Sequence, residues 1–352
     1  MKSYFRALCV AAWFSTVAAV APPLAAQTAA ASQPVAVTAD NFVRAETDTY
    51  FATVVRQDGF GRFHHYRELM PIDRQAVVRA NRDTLYSVGV FDLDAGPVTV
   101  TLPEAGTRFR SIVAISEDEY VPFVAYGKGP YTFTRQQVGT RYVLIGVRTL
   151  ADVRNAADMQ AAHALQDGIA WQQPSTGSFG VPSWDSASQK RVRNALIQLG
   201  TTLPDLNGAF GAPGDVAPVR HLIGAAIAWG GNPDKDAIYL NVTPRRNDGG
   251  TVYRLRVADV PVDGFWSISV YNEKGYFEPN AQAAYTLNNV QAKKDADGAV
   301  TVQFGGCGDG VPNCLPVTAG WNYMVRMYRP RAEVLDGRWK FPEAQAVALA
   351  AQ

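Results

Sequence analysis

The sequence predicts a mainly β chain with helical additions (α+β), built as two antiparallel β-sandwich domains joined by a helical segment. Three observations carry this expectation. Short runs rich in β-branched and aromatic residues crowd residues 79–148, alternation with a period of two returns after Ala237, and the stretch between them shows helical apolar spacing broken by Pro, Gly and Ser. Closely spaced runs with Gly- and Pro-bearing turns suit antiparallel hairpins, whereas βαβ units need a helix between strands.

At the amino end, Lys2 and Arg6 precede an uncharged run from Ala7 to Ala26, interrupted by Pro22 and Pro23 and opening into Gln27-Thr28-Ala29-Ala30-Ala31. A basic start, an apolar stretch and a small-residue exit are what a secretory signal peptide requires. Residues 1–26 are read as that signal, cut near Ala26 with Ala31 as the alternative, and 27–37 as a flexible leader. The mature chain is therefore expected to be periplasmic or secreted, with no membrane span. Cys9 falls within the signal, in an Arg6-Ala7-Leu8 context that does not suit lipid attachment.

The first domain, 38–150, opens with a helix over Thr38 to Gln57. Val43, Thr47, Tyr50 and Val54 recur at helical spacing, Thr38 or Asp40 can cap the start, and Gly59 stops it. Strands are expected at 85–93, 97–102, 109–115, 120–126, 131–134 and 142–147. The connecting segment, 151–236, carries a helix from Asn155 and a second helix opened by a capping box at Ser186-Ala187-Ser188-Gln189, with Val192, Leu196 and Leu199 facing inward. A third helix starts at Pro218, a residue suited to the first helical position. The second domain, 237–345, alternates faces at 239–242, 252–257, 265–271, 300–304 and 323–328.

Composition excludes several classes. Lys plus Arg total 33 against 32 for Asp plus Glu, with no run of five like charges, so nothing marks a nucleic-acid or anionic-membrane partner. The Gly-x-Ser-x-Gly elbow, the phosphate-cradling loop, the dinucleotide fingerprint and the His-Glu-x-x-His helix are missing from the sequence. The four histidines are the adjacent His64 and His65 and the separate His163 and His221, so neither a metal nor a cofactor is expected. With Cys9 removed, Cys307 and Cys314 remain, flanking six turn-forming residues. In an oxidising compartment this spacing predicts one disulfide, because a zinc site would need further ligands.

The densest polar cluster is Arg79-Ala80-Asn81-Arg82-Asp83-Thr84-Leu85-Tyr86-Ser87, where a loop enters a strand. Asn81 and Arg82 offer convergent donors for a carbonyl-bearing or anionic ligand, whose polar end Asn81, Arg82, Asp83 and Tyr86 would hold. In a catalytic version His65 is the acid or base, Asp83 orients it, and Arg82 stabilises an oxyanion. Trp266, Tyr271, Tyr285 and Trp321 would supply apolar contact. Turn capping for Asp83 and core packing for the aromatic residues stand beside these readings as alternatives.

The stretch from Val78 to Ser87, then Phe91-Asp92-Leu93-Asp94-Ala95-Gly96-Pro97-Val98 and Leu102-Pro103, resembles the amino-terminal signature of the bacterial domain of unknown function 1254. Gly264-Phe265-Trp266-Ser267-Ile268-Ser269-Val270-Tyr271, Asn280, Asp297-Gly298 and Val334-Leu335-Asp336-Gly337-Arg338-Trp339 are similar to its usual partner, domain of unknown function 1214. The resemblance implies a tandem of β-rich, jelly-roll-like domains in exported bacterial proteins, with no established activity. Some relatives carry esterase or hydrolase labels, which the missing nucleophile elbow does not support here.

The expectation for function is an exported protein that binds, and in the catalytic version hydrolyses, a small organic ligand in a cleft between the sandwiches. The alternative is a non-catalytic envelope or interaction protein, a homo-oligomer in which Trp229-Gly230-Gly231-Asn232-Pro233 and the aromatic strands form the interface.

Overall fold

The structure, a computed structural model, describes residues 33–75 and 77–347. The expected signal peptide, 1–26, and most of the leader lie outside the described residues. The end of the leader is held in place: Val35 donates its N–H to the Ser183 carbonyl at 2.7 Å, and Val37 is buried.

Helix α1 (Phe42–Arg56) is followed by β1 (His64–Tyr66), β2 (Thr84–Asp92), β3 (Val98–Leu102), β4 (Arg110–Ser116), β5 (Phe123–Tyr126), β6 (Gly129–Phe133), the single turn α2 (Arg135–Val138) and β7 (Tyr142–Leu150). Strands β1-β2-β7-β4-β5 form one antiparallel sheet in that order. A second sheet, β6-β3-β8, includes β8 (Ala170–Gln172) from the stretch expected to be purely connecting. Phe91, Val98, Val100, Ile112, Val143, Ile145 and Val147 pack between the two sheets. On the other face of the larger sheet, Phe51 and Val54 of α1 cover Val90, Val113, Ile115 and Leu144. Strand β7 is thus roofed on both sides, and every one of its residues is buried. Double burial explains why Tyr142-Val-Leu-Ile-Gly-Val reads as an apolar run without alternation.

Three more helices follow: α3 (Ala156–Asp167), α4 (Ser186–Gly200) and α5 (Pro218–Ala228). Pro218 occupies the first turn of α5, as its fixed φ and missing N–H allow. The cap of α4 lies one residue before the expected box, because the Asp185 carboxylate accepts the Ser188 N–H at 2.8 Å. Its inward face is Ser188, Gln189 and Leu196, so Leu199 turns outward at 49% exposure, contrary to the expected stripe. Phe42 and Ala45 of α1 pack with Leu196, Ile223 and Ala225 in a helical cluster.

The carboxy-terminal half contains β9 (Ala237–Val242), β10 (Tyr253–Val257), β11 (Trp266–Tyr271), β12 (Thr286–Asn288), β13 (Val300–Phe304), β14 (Cys314–Leu315), β15 (Asn322–Tyr328), the short helix α6 (Ala332–Leu335) and β16 (Gln345–Ala346). One sheet runs β12-β11-β15-β9, wholly antiparallel; the other runs β14-β13-β10-β16 and includes one parallel pair, β13 with β14. Leu255, Ile268, Val302, Phe304, Trp321, Tyr323 and Val325 fill the space between them. Cys307 and Cys314 form the expected disulfide, closing the loop between β13 and β14. Among the described residues no helix is long and apolar enough to cross a membrane.

Candidate functional site: a polar junction between the sandwiches

Strand alternation decides what meets at the junction. On β11, Trp266, Ile268 and Val270 face the sandwich core, so Ser267, Ser269 and Tyr271 face outward. Register with β15 sets Ser267 opposite Arg326 and Tyr271 opposite Asn322, and with β9 sets Arg326 opposite Tyr239. The chain between β1 and β2 crosses this outward face. It is pinned there by Gln75, whose side chain bonds both backbone polar groups of Phe277, and by the Arg79 N–H, which donates to the Gly275 carbonyl at 2.8 Å.

Asp83, at the end of that crossing, is 1% exposed. Its carboxylate accepts from Ser267 Oγ at 2.6 Å and from Thr286 Oγ1 and Asn288 Nδ2, each at 3.3 Å. Asn81 turns the chain, its Oδ1 accepting the Asp83 N–H at 2.7 Å. That bond fixes the amide orientation, and Nδ2 donates to Tyr86 Oη at 3.1 Å and Tyr328 Oη at 3.0 Å. Arg82 donates to the Met70 carbonyl and stacks 5.3 Å from the Tyr285 ring centre. Arg326 is buried and donates to Ser269 Oγ, Tyr271 Oη and the Arg79 carbonyl, while Tyr271 donates to the Ala80 carbonyl at 2.9 Å.

A second arm rises from β7. Arg148 sits opposite Tyr86 in register, its guanidinium 5.6 Å from that ring centre, and donates to Asn232 Oδ1 at 2.9 Å. Asn232 Nδ2 donates to Tyr239 Oη at 2.8 Å. Burial raises the pKa of both Tyr239 and Tyr328, so these hydroxyls keep their protons. Nearby, Tyr126 Oη donates to Asp236 Oδ1 at 2.9 Å, and burial raises the Asp236 pKa from its ordinary value.

The three residues of the expected catalytic set do not converge. His65 pairs across the sheet with Ser87, and its Nδ1 lies 2.8 Å from Ser87 Oγ. Ser87 is four positions beyond Asp83 on β2, about 13 Å at roughly 3.3 Å per residue. Arg82 is engaged with Met70, Phe277 and Tyr285, and bonds neither His65 nor Asp83. Trp266 and Trp321 lie in the core of the carboxy-terminal sandwich, not at the junction, because Trp266 shares its face of β11 with Ile268 and Trp321, just before β15, keeps the parity of Tyr323 and Val325. Tyr271 and Tyr285 are on the junction side, with Met70, Ile72, Ala80 and Phe277. Trp229 stacks on Tyr50 at 4.1 Å within the chain. Among the described residues no group of three or more His, Cys, Asp or Glu side chains is arranged to hold a metal ion.

Ser267, Thr286, Asn288, Arg326, Arg148 and Tyr239 carry no expected role in the sequence, and Asn232 enters there only as part of the alternative's subunit interface. A signal existed for the arginines: each interrupts an apolar strand, Gly146-Val147-Arg148 and Met324-Val325-Arg326, where a charge is costly unless partnered.

Comparison with known proteins agrees with this architecture. The family described as Protein of unknown function (DUF1254) matches residues 60–130, and Protein of unknown function (DUF1214) matches residues 239–332. The two matches lie in the amino-to-carboxy order that the resemblance implies. The crystal structure of the VPA0106 protein from Vibrio parahaemolyticus is similar, with a TM-score of 0.67 and 17% identity over 87% of this chain and 96% of that one. An uncharacterized protein from Burkholderia cenocepacia is also similar, with a TM-score of 0.53 and 13% identity over 87% of this chain and 86% of that one. At such identities the likeness concerns the fold alone. No curated protein matches the sequence.

Proposed function

We propose that the chain is an exported protein that binds a small organic molecule at the junction of its two sandwiches. The observation that carries this reading is the polar arm formed by Asn81, Tyr86, Arg148, Asn232 and Tyr239. It draws on both halves of the chain, and Asn81, Tyr86 and Tyr239 each keep part of their surface open to solvent. Ligand sites occur preferentially where domains meet, with a few placed polar groups fixing orientation and specificity. Export rests on the basic and apolar residues before Ala26 and accords with the Cys307–Cys314 bridge. Hydrolysis draws no support from His65, Arg82 and Asp83, which are engaged with separate partners.

Thermal denaturation of the mature chain against a mixed library of small organic acids, amides, amines and sugars tests the reading. Stabilising compounds are expected, and Asn81→Ser should weaken them by untethering Tyr86 and Tyr328. A silent library, or hits that bind the variant unchanged, would overturn binding at the junction.

A further inference from the structure

Building on that reading, we infer that the molecule bound is a small carboxylate, its carboxyl group held by Arg148 and the hydroxyls of Tyr86, Tyr239 and Tyr328. Hydrogen-bond direction is the basis. Asn81 Oδ1 is occupied by the Asp83 N–H and Asn232 Oδ1 by Arg148, so both amides present their Nδ2 donors to the tyrosines. Each of the three phenol oxygens thus accepts from an amide, Tyr86 and Tyr328 from Asn81 and Tyr239 from Asn232. Among the described residues, none of the three O–H protons is donated to a protein acceptor. A phenol carries one donor as well as its lone pairs, so three donors are left over in one place.

Charge points the same way. Among the described residues Arg148 has no carboxylate within ion-pair distance, and its acceptors are the neutral Asn232 side chain and the Gly230 carbonyl at 3.3 Å. Arg326, whose charge neighbours Tyr239 and Tyr328, is likewise satisfied by hydroxyls and carbonyls. Of the nearby acids, Asp83 is committed to Ser267, Thr286 and Asn288, and Asp236 gives Oδ1 to Tyr126 while its Oδ2, without a partner among the described residues, lies beyond ion-pair distance of Arg148. Surplus O–H donors beside an unpaired guanidinium call for an acceptor carrying negative charge, and a planar carboxylate matches a guanidinium in shape and charge.

Isothermal titration calorimetry on the mature chain at pH 7, with acetate, pyruvate and benzoate each compared with its amide, tests this. At least one acid should bind and its amide should bind tenfold weaker or worse. Arg148→Met should lose tenfold or more in affinity for that acid, and Tyr239→Phe and Tyr86→Phe, which remove only a hydroxyl, should each lose several-fold with the fold kept. An amide binding as tightly as its acid, full affinity in both Phe variants, or silence from every acid would overturn the carboxylate assignment. The broader reading would survive those outcomes if the mixed library still yields ligands sensitive to Asn81→Ser.

Discussion

Ser267 donates its hydroxyl to the Asp83 carboxylate across 2.6 Å, tying together residues 184 positions apart in the chain. Asp83 is the last residue before β2 and Ser267 the second of β11, so the bond locks the amino-terminal turn onto the carboxy-terminal sheet. Removing one hydrogen bond to a buried charged acceptor costs about 1.5–3 kcal/mol, the effect expected for Ser267→Ala. Asp83→Ala leaves the buried Ser267 hydroxyl and Asn288 amide without that acceptor, at about 1–3 kcal/mol for each donor left unsatisfied. Urea denaturation of both single variants and the double variant should show a coupling of about 1–2 kcal/mol; additive losses would mean that the pair is not a clasp.

The long strands were legible because each has its own pattern: β10 alternates, and β7 is a continuous apolar run covered on both faces. Strands β1, β8, β12, β14 and β16 span two or three residues each, too short for any period to register. The Asn81–Asp83 turn was legible as a polar knot, but its partners were not, since Ser267, Thr286 and Asn288 come from a sheet whose docking face the sequence does not specify. Parity did contain the answer for the tryptophans. Trp266 shares its face with Ile268 and Val270, an apolar triplet that belongs in a core, whereas Ser267 and Ser269 mark the other face as the polar one.

Trp321 and Tyr271 should separate core packing from junction chemistry. Trp321 is fully buried with Phe304, Tyr323 and Tyr253, and truncation to Ala should cost about 3–5 kcal/mol. The milder Trp321→Phe should lower the melting temperature while leaving ligand affinity unchanged by calorimetry. Tyr271→Phe deletes the hydroxyl that serves Ala80 and Arg326, at about 1–3 kcal/mol with almost no change in packing. A drop in affinity on Trp321→Phe at constant fold would contradict its placement in the core.

The Cys307–Cys314 bridge closes a loop with a sequence separation of seven. Loop-closure entropy for so short a ring stabilises by roughly 2–3 kcal/mol. Replacing both cysteines by serine should lower the unfolding free energy by that amount and leave the cooperativity of unfolding intact, because the loop lies at the edge of one sheet. Mass spectrometry of the non-reduced chain should show no free thiol at either position.

Stability against pH offers a test with opposite signs at two sites. Asp48 on α1 is 1% exposed; its Oδ2 accepts from Trp184 Nε1 at 2.8 Å, while Oδ1 lacks a partner among the described residues. Burial, opposed by the Trp184 bond, pushes its carboxyl up from 3.8 to about 6. The folded chain therefore holds a proton that the unfolded chain releases, so a penalty grows as pH rises from about 4 to 6 and is complete above that, at most roughly 3 kcal/mol. Glu119 is fully buried with one unpartnered oxygen and is also raised, so it acts with the same sign. His65 works in the other direction: burial lowers its pKa, so its cost appears as pH falls below 6.5 and the unfolded chain takes up the proton first. Asp48→Asn should accordingly match the wild type near pH 4 and gain on it steadily toward pH 7. His65→Gln should gain on the wild type as pH falls through the histidine range. Denaturation midpoints measured from pH 4 to 8 would show these two difference curves sloping oppositely, and a flat curve for Asp48→Asn would mean that its carboxyl is not buried in the form that the geometry displays.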